Sequence, residues 1–531
     1  MDEKTTGFES IDSQDRNQSD KLLTMHAFSG IFRMFTQVLA MMILVPIIIK
    51  HVGEEKYGIW TLGMAIMGIL AFLEFGLIQA SNRFLSAINF REEPEKMQQW
   101  TCTTFWLTLI SGIAVIVVGI PFSDKLALLL KVPEIVHAQA TFVVFVFIWR
   151  LAISVPLRNF SAVLLSQRFM ARAHLSQGLS TILYFVCGVW VLDQGYELNG
   201  LAIAFFATML VEHLAYAIMS LKIVPLKSYR LKNFNGELVP KIVEFSMFAW
   251  LGQITNVIFM RAGVLLVQVT SGLVANGAYS IAMRLSSISA ELAAQVTYAG
   301  SPKIAKLSTE EDSGLGKAGW LTLTLARRAM ILSGVLAAIA VPLGGCFLEG
   351  WVGGEMAKIA TVPLAIMTMS IFLGTPYNAS ANSLSLSGEH RFTNVTALVV
   401  VALYIPIAIV GGQYFGPTGV ALAGMITTVF MMLPAFMIRA RKHLEIRLSN
   451  WLKFVYGPHF LPFFASLSIS SLVSWAIQNF IEKGRLWMVL SAVAGVIIAC
   501  IYVLIFLMYT APEEERGILK KILNKVGIFK G

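Results

Sequence analysis

The chain has 531 residues, of which 56% are apolar and only 14% charged, with a mean hydropathy of +0.71. Soluble domains carry about a quarter charged residues, so this composition places the chain in lipid and leaves no room for a sizeable soluble domain. A net charge of +10 in such a chain reads as contact with anionic inner-leaflet lipid, not nucleic acid. Cys102, Cys187, Cys346 and Cys500 stand in apolar stretches without the spacing of a metal site or disulfide frame.

The first twenty residues, MDEKTTGFESIDSQDRNQSD, are polar and acid-rich, the opposite of a signal peptide, so the first span is expected to stay in the mature protein. A bilayer core of roughly 30 Å takes about 20 apolar residues per helix. Apolar windows bounded by charges and Gly or Pro turns place spans at 27–50, 57–80, 101–121, 140–163, 176–192, 199–221 and 242–268, then at 278–300, 329–349, 359–385, 392–412, 418–437, 458–479 and 486–509. Runs such as 485–508 are apolar on every side and lack the alternation of a β-barrel strand. The expected fold class is therefore an all-α polytopic membrane protein of about 14 transmembrane helices. Lys and Arg concentrate in the segments that lie inside if both termini are cytoplasmic, as basic loops resist translocation. The richest are 222–241, 439–453 and the tail. Along 514–531, Ile518, Leu519, Ile522, Leu523 and Val526 share one helical face opposite Lys520, Lys521 and Lys525, the pattern of a helix lying on the inner leaflet.

A shift of 219 positions brings separate fragments into register. Gly53, Gly58 and Trp60 after the first span match Gly272, Gly277 and Tyr279 after the seventh. Gly200-Leu-Ala-Ile-Ala204 matches Gly419-Val-Ala-Leu-Ala423, with Gln194 and Thr208 against Gln413 and Thr427. Arg168-Phe169 matches Arg391-Phe392 at a shift of 223. Coincidence of several matches at equivalent topological places points to a duplicated six-span unit. An even number of spans makes both copies enter the membrane in the same direction, giving two pseudo-symmetric six-helix lobes plus two C-terminal helices. The expected organisation is a cytoplasmic polar tail (1–26), an N-lobe (27–221), a basic linker (222–241), a C-lobe (242–437), a basic loop (438–457), the last two spans (458–509) and a basic amphipathic tail (510–531).

A charge inside a span costs at least about 2.5 kcal/mol, so such residues are expected to face a cavity or a partner. Five arginines and no lysine fall there: Arg33, Arg150, Arg158, Arg261 and Arg284. Arg150 sits near the middle of the fourth span, and Arg158 lies eight residues on, about 12 Å further along the helix, placed as the second rung of a cationic ladder. Arg33 and Arg284 stand close enough to span ends that snorkelling competes with a binding role. For Arg261, pairing with a carboxylate such as Glu291 competes with substrate contact. The intramembrane carboxylates are Glu74, Glu212, Glu244 and Glu291. Arg284 and Glu291 are seven residues apart on one helical face, placed for an ion pair. Glu212, beside His213, fits a proton- or sodium-linked switch or a neutral, hydrogen-bonded carboxyl. Gln37 and Asn256 occupy equivalent places in the two copies and suit either sugar hydroxyls or helix packing. An arginine fork matches phosphate oxygens in a bidentate way that lysine does not, so an arginine-only cavity points to an anionic, phosphate-bearing cargo.

Gly53-Glu-Glu-Lys-Tyr-Gly58-Ile-Trp60, continuing to Leu73-Glu74-Phe75-Gly76-Leu77 and Asn82-Arg83-Phe84, resembles the opening of the polysaccharide or O-antigen flippase family. Leu165-Ser-Gln-Arg168-Phe, Ser301-Pro302-Lys303-Ile304 and Leu386-Ser-Gly388-Glu-His-Arg391-Phe392 extend the likeness over roughly residues 25–450. That family shares its superfamily with the multidrug and toxic-compound extrusion transporters and the peptidoglycan-precursor flippases. The resemblance implies two lobes that rock by alternating access and carry an undecaprenyl-diphosphate-linked oligosaccharide from the inner to the outer leaflet of a bacterial inner membrane. Its implied partners are that lipid-linked sugar, membrane lipids, and polysaccharide polymerase and glycosyltransferases. No cofactor is implied beyond coupling to an H+ or Na+ gradient, with Glu212, Glu74 and Glu291 as candidates. The family's acidic position in the second helix falls on Glu74, where Asp is frequent, and Arg261 stands near a place where relatives often carry an acid. A multidrug exporter of the same fold would favour carboxylates and aromatics over arginine. A polymerase or ligase would need a large outer loop, and the longest here, 122–139, is short.

Overall fold

A computed structural model of the protein describes residues 3–167, 169–310 and 314–512. Within its helices the side chains of residues 3–24, 26–27, 31, 122, 124–129, 248–249, 251–256 and 260 lie outside that description, as do Arg168 and the amphipathic tail 514–531. The described residues contain helices and connecting turns and no strand. This is what lipid demands of an open chain, because a helix satisfies its backbone hydrogen bonds internally.

By compactness the chain divides into Met1–Ile254 and Thr255–Gly531. The first unit holds α1 (Glu3–Val52), α2 (Glu54–Leu70), α3 (Leu77–Ser86), α4 (Pro94–Leu129), α5 (Glu134–Ser166), α6 (Met170–Asp193), α7 (Glu197–Ser220) and the start of α8 (Val239–Ala299). Its hub is α5, which packs against α2, α3, α4 and α7, while α6 lies against α1 and α7. Small residues let α4 and α5 approach closely: a Cβ on Gly112 would stand 2.5 Å from the Ala152 carbonyl oxygen, and one on Gly119 would stand 2.9 Å from Ile148. α5 continues through Pro156 as one helix; neighbouring helices make such a proline tolerable in a span.

The second expected span is not one helix. It breaks between α2 and α3, where Ala71–Glu74 form a 3-10 turn and Phe75 and Gly76 adopt left-handed backbone at φ 50° and 69°. Glycine takes that conformation without steric cost, and the rest of the break is held by donors from outside it. The Phe72 carbonyl, which also takes the Phe75 amide at 3.0 Å, accepts from the Trp250 indole at 2.8 Å, and the Leu73 carbonyl accepts from the Ser111 hydroxyl. Irregular backbone at membrane depth requires such satisfaction.

The second unit holds the rest of α8, α9 (Ser301–Leu307), α10 (Gly314–Trp351), α11 (Gly354–Leu384), α12 (His390–Ile426), α13 (Leu433–His443), α14 (Leu448–Asn450), α15 (Gly457–Phe480) and α16 (Arg485–Ile505). α10 is its hub, packed against α11, α15 and α16. His459 on α15 binds the last two long helices to that hub, with Nδ1 3.0 Å from the Tyr502 hydroxyl and Nε2 2.9 Å from the Arg327 carbonyl oxygen.

Eleven described stretches are long and apolar enough to cross a membrane. One of them, Gly354–His443, runs 90 residues and turns at Gly388 and Gly416; another, Val257–Ala299, turns at Gly272. Separated at those turns, the helices cover all fourteen expected spans. Two pairs of positions 219 residues apart share left-handed backbone: Gly53 and Gly272 have φ 86° and 83°, and Glu197 and Gly416 have φ 50° and 55°.

Candidate functional site

The break in the second span delivers Glu74 to the interior of the first unit, where the residue is only 7% exposed. Arg158 of α5 donates from Nη1 to its Oε1. The arginine side chain is 40% exposed and the carboxylate side chain 9%, so the guanidinium keeps one flank open. Glu74 reaches this place because the backbone unwinds there, whereas in a continuous helix the turn would keep its own carbonyls.

One helical stretch away along α5, Arg150 has a different environment. Its Nε donates to the Phe205 carbonyl of α7 at 3.2 Å, and its guanidinium carbon lies 3.7 Å from the centre of the Phe205 ring. That ring belongs to an aromatic shelf contributed by four helices: Trp60 at 5.5 Å, Phe147 at 5.4 Å and Tyr184 at 5.2 Å. Cation–π contact stabilises the charge without neutralising it. Arg150 has no carboxylate at ion-pair distance among the described residues; Glu212 and Arg158 act on it only through the field.

Glu212 of α7 accepts a hydrogen bond from the Tyr216 hydroxyl, one turn along the same helix, at 2.8 Å. Arg33 donates from Nη1 to Gln177 of α6 at 3.3 Å, while its buried Nε has no partner among the described residues. His213 next to Glu212 points its Nδ1 at the Met209 carbonyl at 2.9 Å, and its buried Nε2 is unpartnered among the described residues. Gln37 is half-buried on α1.

In the second unit, Arg284 and Glu291 pair at 3.2 Å along α8, at the spacing expected from the sequence. Glu291 is thereby taken, and Arg261 pairs with neither it nor any other described carboxylate; the charge in its electrostatic range is the like charge of Arg284. The Asn256 side chain lies outside the described residues. An apolar cavity of about 370 Å³ opens in the same unit between α8, α10, α11 and α16, with Leu285, Ile339, Leu343, Leu364 and Gly495 among its walls.

The structure therefore gathers Arg33, Arg150, Arg158, Glu74 and Glu212 into one unit and Arg261, Arg284 and Glu291 into the other. Sequence reasoning missed the aromatic shelf, Tyr216 and Gln177. Tyr216 had a signal, its spacing of four from Glu212; the Phe205 contact had none. Arg327 escaped because the apolar window opens two residues later, yet α10 begins at Gly314 and leaves Arg327 only 6% exposed.

The family described as MatE matches residues 30–190, which is α1 to α6. A curated relative, the uncharacterized membrane protein EpsK of Bacillus subtilis (strain 168), is 22% identical over 515 residues, covering 91% of this chain and 94% of its own. The solved lipid II flippase MurJ, in its inward closed conformation, superposes with a TM-score of 0.70 at 13% identity, covering 90% of this chain and 98% of the flippase. An inward-facing multidrug resistance MATE family transporter of the MOP superfamily gives 0.66 at 17% identity, covering 78% and 98%. At these identities the likeness shows the fold: this chain is a multi-span helical membrane protein with the transporter fold that MurJ and MATE structures share.

Proposed function

We propose that the chain is a flippase that moves a polyprenyl-diphosphate-linked oligosaccharide from the inner to the outer leaflet of a bacterial inner membrane by alternating access of its two lobes. One observation carries this reading. Arg33, Arg150 and Arg261 lie in membrane-spanning helices and have no carboxylate at ion-pair distance among the described residues. An uncompensated charge in a span is costly, and the cost is recovered when an anion with matching fork geometry arrives. A lipid diphosphate is such an anion. The comparison with a lipid II flippase favours the same substrate class, and the apolar cavity beside α16 suits the polyprenyl chain. Arg158 holds Glu74 until cargo competes for it, and Glu74, Glu212 and Glu291 are the groups through which an H+ or Na+ gradient drives the cycle. Cytoplasmic termini, and work alongside polymerase and glycosyltransferases, complete the proposal; the protein moves its cargo without chemical change.

Depleting the protein in the bacterium that encodes it tests this. The reading requires oligosaccharide-diphospholipid to build up on the cytoplasmic leaflet. A multidrug exporter is the second reading, favoured by the MatE match and the MATE-like fold. It predicts raised sensitivity to cationic drugs with no such accumulation.

A further inference from the structure

The linker between α7 and α8 is anchored along its length. Residues Leu226–Tyr229, Leu231–Asn233 and Gly236–Leu238 form three short 3-10 turns. Tyr229 plugs into the end of the first unit, its ring 5.2 Å from that of Phe105 and 5.4 Å from that of Phe160. Backbone hydrogen bonds hold the turns down: the Trp106 indole donates to the Tyr229 carbonyl at 3.0 Å and the Cys102 thiol to the Arg230 carbonyl at 3.3 Å. The Asn235 amide donates to the Thr103 hydroxyl at 3.1 Å.

On this anchored base the flanking residues face outward. Leu226 is 68% exposed and Leu231 65%, with exposed Lys227, Arg230 and Lys232 between and beside them. Glu237 is the one carboxylate in 222–241. The linker is pinned by Tyr229 and leaves both leucines exposed, and leaving them in water forfeits their burial energy. α7 ends at Ser220 and α8 begins at Val239, so the turns sit where two spans leave the membrane.

We propose that this linker is an interfacial binding site for anionic phospholipid, with Leu226 and Leu231 entering the acyl boundary and Lys227, Arg230 and Lys232 holding headgroup phosphates. Charge complementarity selects the occupant: apolar insertion flanked by cations fits an anionic leaflet. The proposal is independent of the cargo.

A spin label on Leu231→Cys reports depth, in the full chain with Cys102, Cys187, Cys346 and Cys500 changed to Ser; Ser at 102 keeps a hydrogen-bond donor for Arg230. In nanodiscs containing phosphatidylglycerol the label gains accessibility to oxygen and loses it to a nickel chelate, relative to discs of phosphatidylcholine alone. Nickel accessibility in both compositions overturns the proposal, and is also the result expected if a soluble acidic partner covers the patch. Each basic residue near an anionic surface is worth roughly a fivefold gain in affinity. The triple variant Lys227→Gln, Arg230→Gln, Lys232→Gln is therefore expected to lose phosphatidylglycerol retention about a hundredfold in native mass spectrometry; unchanged retention refutes the site.

Discussion

Breaking the Glu74–Arg158 pair from its two ends is expected to have unequal consequences. Glu74 is the buried member, with 9% of its side chain exposed against 40% for Arg158. Replacing Arg158 by Met keeps the stem and removes the charge, leaving the carboxylate without its counter-ion in a low-dielectric interior. Loss of one partner of a fully buried pair costs about 3–5 kcal/mol, and the open flank of Arg158 reduces this to about 2–4 kcal/mol. For a unit of this size that lowers the unfolding temperature by about 4–16 °C. Glu74→Gln instead leaves an amide oxygen for the guanidinium, which its open flank keeps partly solvated, so its cost is about 1 kcal/mol. The double variant has no stranded charge and is expected to recover most of the loss, a coupling that a double-mutant cycle measures directly. Thermal unfolding of the four full-length proteins in one detergent gives the numbers. Equal losses from the two single variants, or strict additivity in the double, would refute the assignment of Glu74 as the buried charge held by Arg158.

Arg150→Ala removes a charge that no carboxylate balances, so stability is expected to hold while transport falls at least about a hundredfold, from the loss of a charged contact of about 3 kcal/mol. Arg150→Lys keeps the charge but loses the Nε donor and the ring stack, and transport is expected to fall about tenfold; full activity in a flipping assay would contradict this. Tyr216→Phe strips Glu212 of its hydroxyl donor and is expected to cost about 1–3 kcal/mol in the same unfolding assay. Gly419→Ala places a Cβ 1.9 Å from the Gly411 carbonyl oxygen and is expected to abolish accumulation of folded protein, whereas Gly53→Ala meets open space at φ 86° and costs about 1–2 kcal/mol of strain. The Lys56–Glu197 bridge at 2.6 Å is partly exposed, at 28% and 45% of the two side chains, so Lys56→Gln is expected to change stability by about 1 kcal/mol or less.

What could be read from the sequence follows the range of each interaction. Spans were legible because apolar length is a local property, and the turns at Gly53 and Gly272 because the glycine pattern around them recurs at one offset. Arg284 and Glu291 were legible because one helix carries both. The Glu74–Arg158 pair joins residues 84 apart in sequence and the Arg150–Phe205 contact residues 55 apart; helix packing makes both, and no spacing rule encodes either. The unwinding at 71–76 was hidden by an apolar window that reads straight through it. Its cue, Gly76 two residues after Glu74, acquires meaning only once Trp250 and Ser111 are in place to bond the Phe72 and Leu73 carbonyls.

Reconstitution tests the central claim most directly. Purified protein in liposomes holding a fluorescent polyprenyl-diphosphate oligosaccharide in one leaflet is expected to expose that label to a quencher on the opposite side, with Arg150→Ala abolishing the transfer. If the labelled lipid stays in its leaflet while the same liposomes discharge a gradient of an organic cation, the arginines do not serve a lipid diphosphate and the flippase account is wrong.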